Sequence, residues 1–286
     1  SRRGTQILPA RGSDEMRAGQ AFVAMHWGEE YVSGCSGGML GEANFGVNSL
    51  TSPALCPSSK QPELKHAAIK ILKAELPWRL VLFGWLAPEQ ALRVQAALRP
   101  FMRQFAYASA TLFGREQSGV LFRAADDYPA APELLNQLQA LFGLQQSAVL
   151  RYDDARRGTS RRILVQSNKI SAVLLAGDVS AEIWLKSYLD DGLSVEGLGR
   201  LLLMPSSKAP AGFQAAGRVV CACHNVRETQ INAALQGRTG LARDLLIYLQ
   251  QDLKCGTGCG SCVPELKQLI DANTRDVNAL GRKEAA

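Results

Sequence analysis

Val219-Val220-Cys221-Ala222-Cys223-His224-Asn225-Val226 and Gly256-Thr257-Gly258-Cys259-Gly260-Ser261-Cys262-Val263-Pro264-Glu265-Leu266 together hold four of the chain's seven cysteines. Thiolate sulfur is the form of cysteine that ligates iron, and a two-iron cluster takes four thiolates, two per iron. In sequence, Cys221 and Cys223 supply one pair from a tight turn, and Cys259 and Cys262 supply the other. The four are read as the ligand set of a [2Fe-2S] electron-transfer cluster. A Cys₄ set also binds zinc. Zinc sites usually pair two C-x-x-C knuckles, however, and a C-x-C partner flanked by helices is less typical. A Rieske arrangement would need a second histidine beside His224, and this part of the chain has none. Cys255 is the spare thiol, because the 259/262 pair has the better ligand spacing.

The residues between the two cysteine pairs suit short helices. Asn225 with Glu228 has the spacing of a capping box, and Ile231, Ala234 and Leu235 follow on one face. Thr239 can cap a second helix carrying Leu241, Leu245, Leu246 and Leu249. Pro264 suits the first turn of a third, with Leu266, Leu269 and Ile270 inward. A helix starting just after Cys262 aims backbone N–H groups at the anionic cluster. Gly256, Gly258 and Gly260 allow close approach of the backbone. Arg227, Arg238 and Lys254 are read as solvated surface.

The remaining chain must hold an independent core. Its 286 residues are 47% hydrophobic and 20% charged, which predicts a folded protein of about two or three domains. The net charge of +6 is spread along the chain, unlike a clustered nucleic-acid surface. No apolar run reaches the length of a transmembrane helix. The cysteine count is odd and clustered, which fits metal ligation in a reducing cytoplasm better than a disulfide framework. Ser1-Arg2-Arg3-Gly4 lacks a signal core and an initiator Met, so a processed chain or a piece of a longer one is expected.

Three parts are expected. Residues 1–75 read as strands and loops, with strand candidates at Thr5–Pro9, Ala21–Met25 and Ala67–Leu72. Residues 76–215 read as mixed α and β. Strands are expected at Leu80–Gly84, Ser118–Phe122, Ala148–Tyr152, Ser160–Val165 and Ile170–Gly177, with turns at Asp153-Asp154 and Ser167-Asn168. Helices are expected at Pro88–Phe105, Ala131–Phe142 and Ala181–Tyr188, with Pro100 kinking or shortening the first. Residues 206–212 have linker composition. The cysteine module takes 216–275, and 276–286 form a polar tail.

The two cysteine stretches resemble the bacterioferritin-associated-ferredoxin-type [2Fe-2S] domain, which carries its cluster on a C-x-C and a C-x-x-C pair. The resemblance implies Cys221, Cys223, Cys259 and Cys262 as ligands. Cys255 and a slightly long spacer depart from it. At the other end, Ser1–Gly4, Ala21–Trp27 and Asn48–Lys65 fall in an order that resembles the closing part of the molybdopterin-dinucleotide-binding domain of the dimethyl-sulfoxide-reductase superfamily. That likeness implies a β-barrel-type domain, with Asn48 and Lys65 contacting the pterin guanine dinucleotide and His26 and Trp27 near the substrate funnel. Amides and cations suit a guanine edge and a pyrophosphate. Without the resemblance, Asn48 is a turn residue and Lys65 a surface residue. Tyr152–Leu185, with Gly177-Asp178-Val179-Ser180, resembles the small α/β domain that closes flavin-dependent NADH reductases and nitrite reductase large subunits. It lacks a Gly-rich nucleotide fingerprint, so it is read as a spacer or docking domain.

Together these likenesses imply an α+β multidomain chain from the carboxy-terminal part of a bacterial assimilatory nitrate reductase large subunit. Such an enzyme is cytoplasmic and reduces nitrate to nitrite at a molybdenum bis(molybdopterin guanine dinucleotide). Electrons would enter through the [2Fe-2S] cluster from a ferredoxin, a flavodoxin or an NADH-dependent flavoprotein subunit. A [4Fe-4S] cluster would lie upstream of Ser1, no catalytic side chain is expected in this chain, and the chain alone would be inactive. No nucleic-acid or membrane partner is expected. The alternatives are a non-catalytic [2Fe-2S] carrier or adaptor, and another molybdopterin oxidoreductase such as a formate dehydrogenase.

Overall fold

The computed structural model describes residues 1–13, 16–24, 27–34, 46–62, 66–205, 208–211, 213 and 217–283, with side chains to residue 273. Two compact units emerge, Ser1–Ala211 and Gly212–Ala286. No helix among the described residues is long and apolar enough to cross a membrane.

The first unit is built on one open antiparallel sheet. In chain order its elements are β1 (Val32–Gly34), β2 (Trp78–Leu86), α1 (Pro88–Met102), β3 (Tyr107–Phe113), β4 (Ser118–Asp126), α2 (Pro132–Leu141), β5 (Val149–Asp154), β6 (Thr159–Gln166), β7 (Lys169–Ala176) and α3 (Glu182–Asp190). The strands lie in the order β1-β3-β4-β2-β7-β6-β5. Strand β2 is central and reads as a continuous apolar run because both of its faces are covered. Leu80 and Leu82 join Phe122, Leu174, Leu98 of α1 and Leu138 of α2 in one core. The alternate residues Val81 and Phe83 are also buried. They point to the opposite face by the two-residue period of a strand, the side on which Arg123 of β4 pairs with Glu182 of α3. Helix α3 buries Trp184, Leu185 and Leu189.

Several local choices follow from residue chemistry. Pro88 and Pro132 open α1 and α2 in the first turn, where a missing N–H costs nothing. Pro100 sits in the last turn of α1, which runs on only to Met102. Ser167 and Asn168 both have positive φ, 49° and 60°, the two-residue turn that matches hairpin twist between β6 and β7. Gly84 lets β2 and β7 meet: a Cβ there would stand 2.8 Å from the Ala172 Cβ and 3.0 Å from the Ser171 carbonyl oxygen. Gly84→Ala is therefore expected to destabilise the chain by about 1–3 kcal/mol, as core overpacking does, read from the shift in urea unfolding midpoint at unchanged slope.

The chain's amino-terminal part corrects one expectation. No closed barrel is present among the described residues. Between Ser1 and Ile71 they contain the short strand β1, a 3₁₀ turn at Val47–Leu50 and isolated bridges at Gly28–Gly46 and Leu55–Pro62. Thr5–Pro9 and the described residues of Ala21–Met25 and Ala67–Leu72 form no regular strand. A barrel needs strands that pair around a ring. Here Ile7 N–H reaches the Gly34 carbonyl at 3.2 Å, while Phe22, Ile71 and Leu72 are exposed. Strand β1 itself pairs with β3 at the edge of the sheet.

The second unit is small and mostly helical. It comprises β8 (Val219–Cys221), β9 (Val226–Arg227), α4 (Glu228–Leu235), α5 (Ala242–Asp252) and α6 (Val263–Lys283). Ile231, Leu235, Leu245, Leu249, Leu266 and Ile270 close its core around Cys221, Cys255 and Cys262. All three helices were expected, but two starts differ. Arg227, not Asn225, precedes α4, and Gln230 Oε1 accepts its N–H at 2.8 Å. Asn225 instead takes φ 51° within the cysteine turn, a conformation Asn tolerates. Leu241, not Thr239, precedes α5.

Candidate metal centre

The antiparallel pair β8 and β9 presents the first two cysteines. Cys221 ends β8 and is 2% exposed, whereas Cys223 lies in the following turn and is half-buried. The second two come from the loop between α5 and α6. Cys259 is exposed, and Cys262 is buried immediately before α6. The Cys262 carbonyl accepts the first bond of that helix, from Leu266 N–H at 2.9 Å. Placement at a helix N-terminus favours an anionic sulfur there.

The thiols gather two and two. Cys223 Sγ lies 3.4 Å from Cys259 Sγ, and Cys221 and Cys262 share a thiol hydrogen bond. Among the described residues, no three His, Cys, Asp or Glu side chains converge on a single metal-ion position. The sequence grouping of 221 with 223 and 259 with 262 is thus not the spatial one. The two chain segments lie side by side, so each thiol meets one from the other segment.

Backbone and glycine shape the pocket. Gly256 has φ 79°, a conformation glycine adopts without strain, and hydrogen-bonds through its backbone to the sulfurs of both Cys221 and Cys262. Gly258 lies against Cys223: a Cβ on it would be 3.0 Å from the Cys223 Cβ and 3.1 Å from its sulfur. At Gly260 an added Cβ meets nothing; its φ of 74° is what favours glycine. Gly258→Ala should force Cys223 aside and raise the rate of iron loss to a chelator about tenfold, the equivalent of a ~1.4 kcal/mol overpacking penalty.

The electrostatics differ between the two pairs. The Cys259 thiol falls to about 7, chiefly because the Ser261 hydroxyl and backbone hydrogen-bond to it; the two side-chain atoms are 3.0 Å apart. Burial pushes Cys221 up, but hydrogen bonds from the backbone of Gly256, His224 and Cys223 and from the Cys262 thiol leave it below the ordinary thiol value. Burial and then the neighbouring Cys221 raise Cys262. Cys255 is pushed up to about 11 by burial, then by Cys221 and Cys262. Its thiol donates to the Leu249 carbonyl at 3.4 Å, and it is fully buried. A protonated core thiol of this kind packs as a small apolar group.

The neighbouring polar residues have local roles. The Arg238 guanidinium stacks on the Tyr248 ring at 3.8 Å, and Arg227 reaches the Gly217 carbonyl at 3.4 Å. Thr257 Oγ1 donates to the Lys254 carbonyl at 2.6 Å and lies 3.2 Å from His224 Nε2, tying the two cysteine-bearing segments together. The contacts of Ser261 and Thr257 were missed in sequence, because a hydroxyl's partner depends on how two distant loops meet.

The amino-terminal candidates are only partly placed. Asn48 is exposed in the 3₁₀ turn, where its carbonyl accepts from Thr51 N–H at 3.2 Å. Trp27 is half-buried, and its carbonyl accepts the N–H of Val47, next to Asn48, at 3.0 Å. Those two are brought close through the backbone. His26 and Lys65 lie outside the described residues, as does Cys35. Cys56 stands isolated in sequence, as Cys35 does. It is exposed, and hydrogen bonds from the side chain and backbone of Ser59 and the backbone of Ser58 lower its thiol.

Comparison with known proteins bears on both ends. Residues 1–68 match the "Molydopterin dinucleotide binding domain" family, and residues 219–272 match the "BFD-like [2Fe-2S] binding domain" family. The chain therefore joins a segment similar to a molybdopterin-dinucleotide-binding domain to one similar to a ferredoxin-type [2Fe-2S]-binding domain. Its curated relatives include a nitrate reductase of Klebsiella oxytoca, 26% identical over 287 aligned positions. That match covers 95% of this chain and 28% of the relative. A nitrate reductase of Synechocystis sp. is 41% identical over 71 residues, 25% of this chain and 8% of the relative. The chain thus spans less than a third of either relative's length. No solved structure matches it significantly.

Proposed function

We propose that this chain is the carboxy-terminal part of an assimilatory nitrate reductase large subunit, and that Cys221, Cys223, Cys259 and Cys262 hold a [2Fe-2S] cluster through which electrons enter. The observation that carries this reading is the pair of thiol couples displayed on the segment that matches a [2Fe-2S]-binding family. The residues suit the group: four sulfurs, backbone donors from the Gly256 turn, and a glycine where a Cβ would crowd Cys223. When bound, the cluster supplies a one-electron carrier, and a molybdenum pterin supplies oxygen-atom transfer.

This chain's own residues have the task of holding and presenting. Cys221 and Cys262, buried with the core of α4–α6, would anchor the cluster, while the more exposed Cys223 and Cys259 would leave one side open to solvent. Residues 1–75 would contribute part of the pterin-dinucleotide site, with Asn48 and Lys65 at the dinucleotide and His26 and Trp27 towards the substrate. Residues 76–215 would form the spacer or docking domain, 216–275 the cluster domain and 276–286 a tail. The full cytoplasmic enzyme would add a [4Fe-4S] cluster between the [2Fe-2S] cluster and molybdenum. Its donor would be a ferredoxin, a flavodoxin or an NADH-linked flavoprotein, and the fragment alone would be inactive.

The test is made on the full-length, molybdenum-loaded enzyme. It should form nitrite from nitrate when supplied with reduced ferredoxin or flavodoxin, or with NADH and a flavoprotein subunit. The Cys223→Ser/Cys259→Ser variant should lose that donor-driven activity. An enzyme that leaves nitrate untouched but oxidises formate would overturn the nitrate assignment.

A further inference from the structure

We infer that the two irons are shared out across the segments: Cys223 and Cys259 hold a solvent-side iron, and Cys221 and Cys262 hold a core-side iron. This rests on the [2Fe-2S] reading above and goes beyond it, because the family match names no partition of ligands. It also reverses the grouping that sequence proximity suggests.

Three independent features lead here. The first is the spacing of the sulfurs. A tetrahedral metal with metal–sulfur bonds of about 2.3 Å sets its two thiolates about 3.8 Å apart. Cys223 Sγ and Cys259 Sγ are 3.4 Å apart, within a few tenths of that spacing. Cys221 and Cys262 are close enough to hydrogen-bond.

The second feature is chain direction. Cys221 closes β8 and faces the core at 2% exposure, whereas Cys223 has turned outward after one residue. In the other segment Cys259 is exposed and Cys262 is 6% exposed. One buried and one outward thiol from each segment match only across the segments. The third is the set of neighbours. The Gly256 backbone serves both core-side sulfurs, and Cys255 lies beside the same two. Ser261 and Gly258 border the outer pair. The two irons would therefore sit in unlike surroundings, one apolar and one wet.

Serine in place of cysteine puts oxygen on whichever iron that residue holds, and Mössbauer spectra of ⁵⁷Fe count the iron environments. The full chain is prepared anaerobically as two double variants. Cys223→Ser/Cys259→Ser should leave one quadrupole doublet at its original position and shift the other. Cys221→Ser/Cys223→Ser should shift both. A Cys223→Ser/Cys259→Ser chain in which both doublets shift would overturn the partition.

A second measurement needs no variant. The wild-type chain, stripped of metal while folded, is oxidised with diamide, and its disulfides are mapped by peptide mass spectrometry. Bridges 221–262 and 223–259 support the partition, and any other pairing of the four contradicts it. Failure of the cluster reading itself is distinct: wild-type chain would then carry no iron for either spectrum.

Discussion

Cys262→Ala chain purified without oxygen is expected to carry at least ~10-fold less iron than wild type and to lose the visible charge-transfer colour of a [2Fe-2S] cluster. Cys262 is buried at the start of α6 among Val220, Val226, Leu266 and Ile270. Its sulfur shares the Gly256 backbone donor with Cys221. Removing it leaves the core-side seat with a single thiol from the four. Loss of a supporting residue outside the ligand shell typically costs ~10–100-fold in metal affinity, so loss of a ligand sets that range as a floor. Metal binding and folding are linked, so the Gly212–Ala286 unit should also unfold earlier on heating. Cys255→Ala is the control. A buried, hydrogen-bonded core thiol outside the ligand set should retain iron when truncated. Iron content by inductively coupled plasma analysis decides both. Cys255→Ala chain empty of iron, beside a loaded Cys262→Ala chain, would exchange the two assignments.

The second large effect lies in the first unit. Arg161 of β6 has a fully buried side chain and donates to Asp178 Oδ2 at 2.8 Å. Burial lowers the Arg161 guanidinium, and Asp178 acts against that. Asp178→Asn keeps the shape and the turn bond that Ser180 N–H makes to Asp178 Oδ1 at 3.0 Å, but removes the opposing charge. Breaking a buried pair costs about 3–5 kcal/mol. The Asp178 side chain retains 22% exposure, so the lower end is expected, about 3 kcal/mol. For a unit of this size that is a fall in Tm of roughly 6–12 °C. Asp153→Asn is the comparison. Its pair with Arg162 is similar in length at 2.8 Å, but the Asp153 side chain is 56% exposed. Water screens such a pair, and its loss should cost under ~1 kcal/mol. Equal costs for the two variants would contradict the account of β6.

Much of the sheet was legible, for identifiable reasons. Strand β2 is an apolar run too short for a helix and followed by Pro88, and β6 and β7 flank a Ser-Asn turn. Strand β3 was missed. Tyr107-Ala-Ser-Ala-Thr-Leu-Phe113 buries Ala108, Ser109 and Ala110, small residues that give little apolar periodicity, and α1 was expected to run to Phe105. Arg161 and Arg162 also escaped notice. Both lie in the expected strand Ser160–Val165, but their burial shows only in the pairing of β5, β6 and β7.

At the candidate metal centre the four cysteines stand out in sequence, and their spatial partnership does not. Spacing along the chain identifies four thiols, but β8, its turn and the α5–α6 loop decide which thiol meets which. The amino-terminal segment behaves differently again. Its likeness to a pterin domain was readable in order and spacing, and a family match now covers residues 1–68. A barrel was not found there among the described residues, because strand pairing is a property of neighbours and not of short apolar runs.

The central claim is that this carboxy-terminal unit is a [2Fe-2S] site. The most direct measurement is metal and acid-labile sulfide analysis of the anaerobically purified chain, with EPR after dithionite reduction. The account predicts about two irons and two sulfides per chain and a spin-½ signal on reduction. A colourless chain holding stoichiometric zinc and silent in EPR would contradict it.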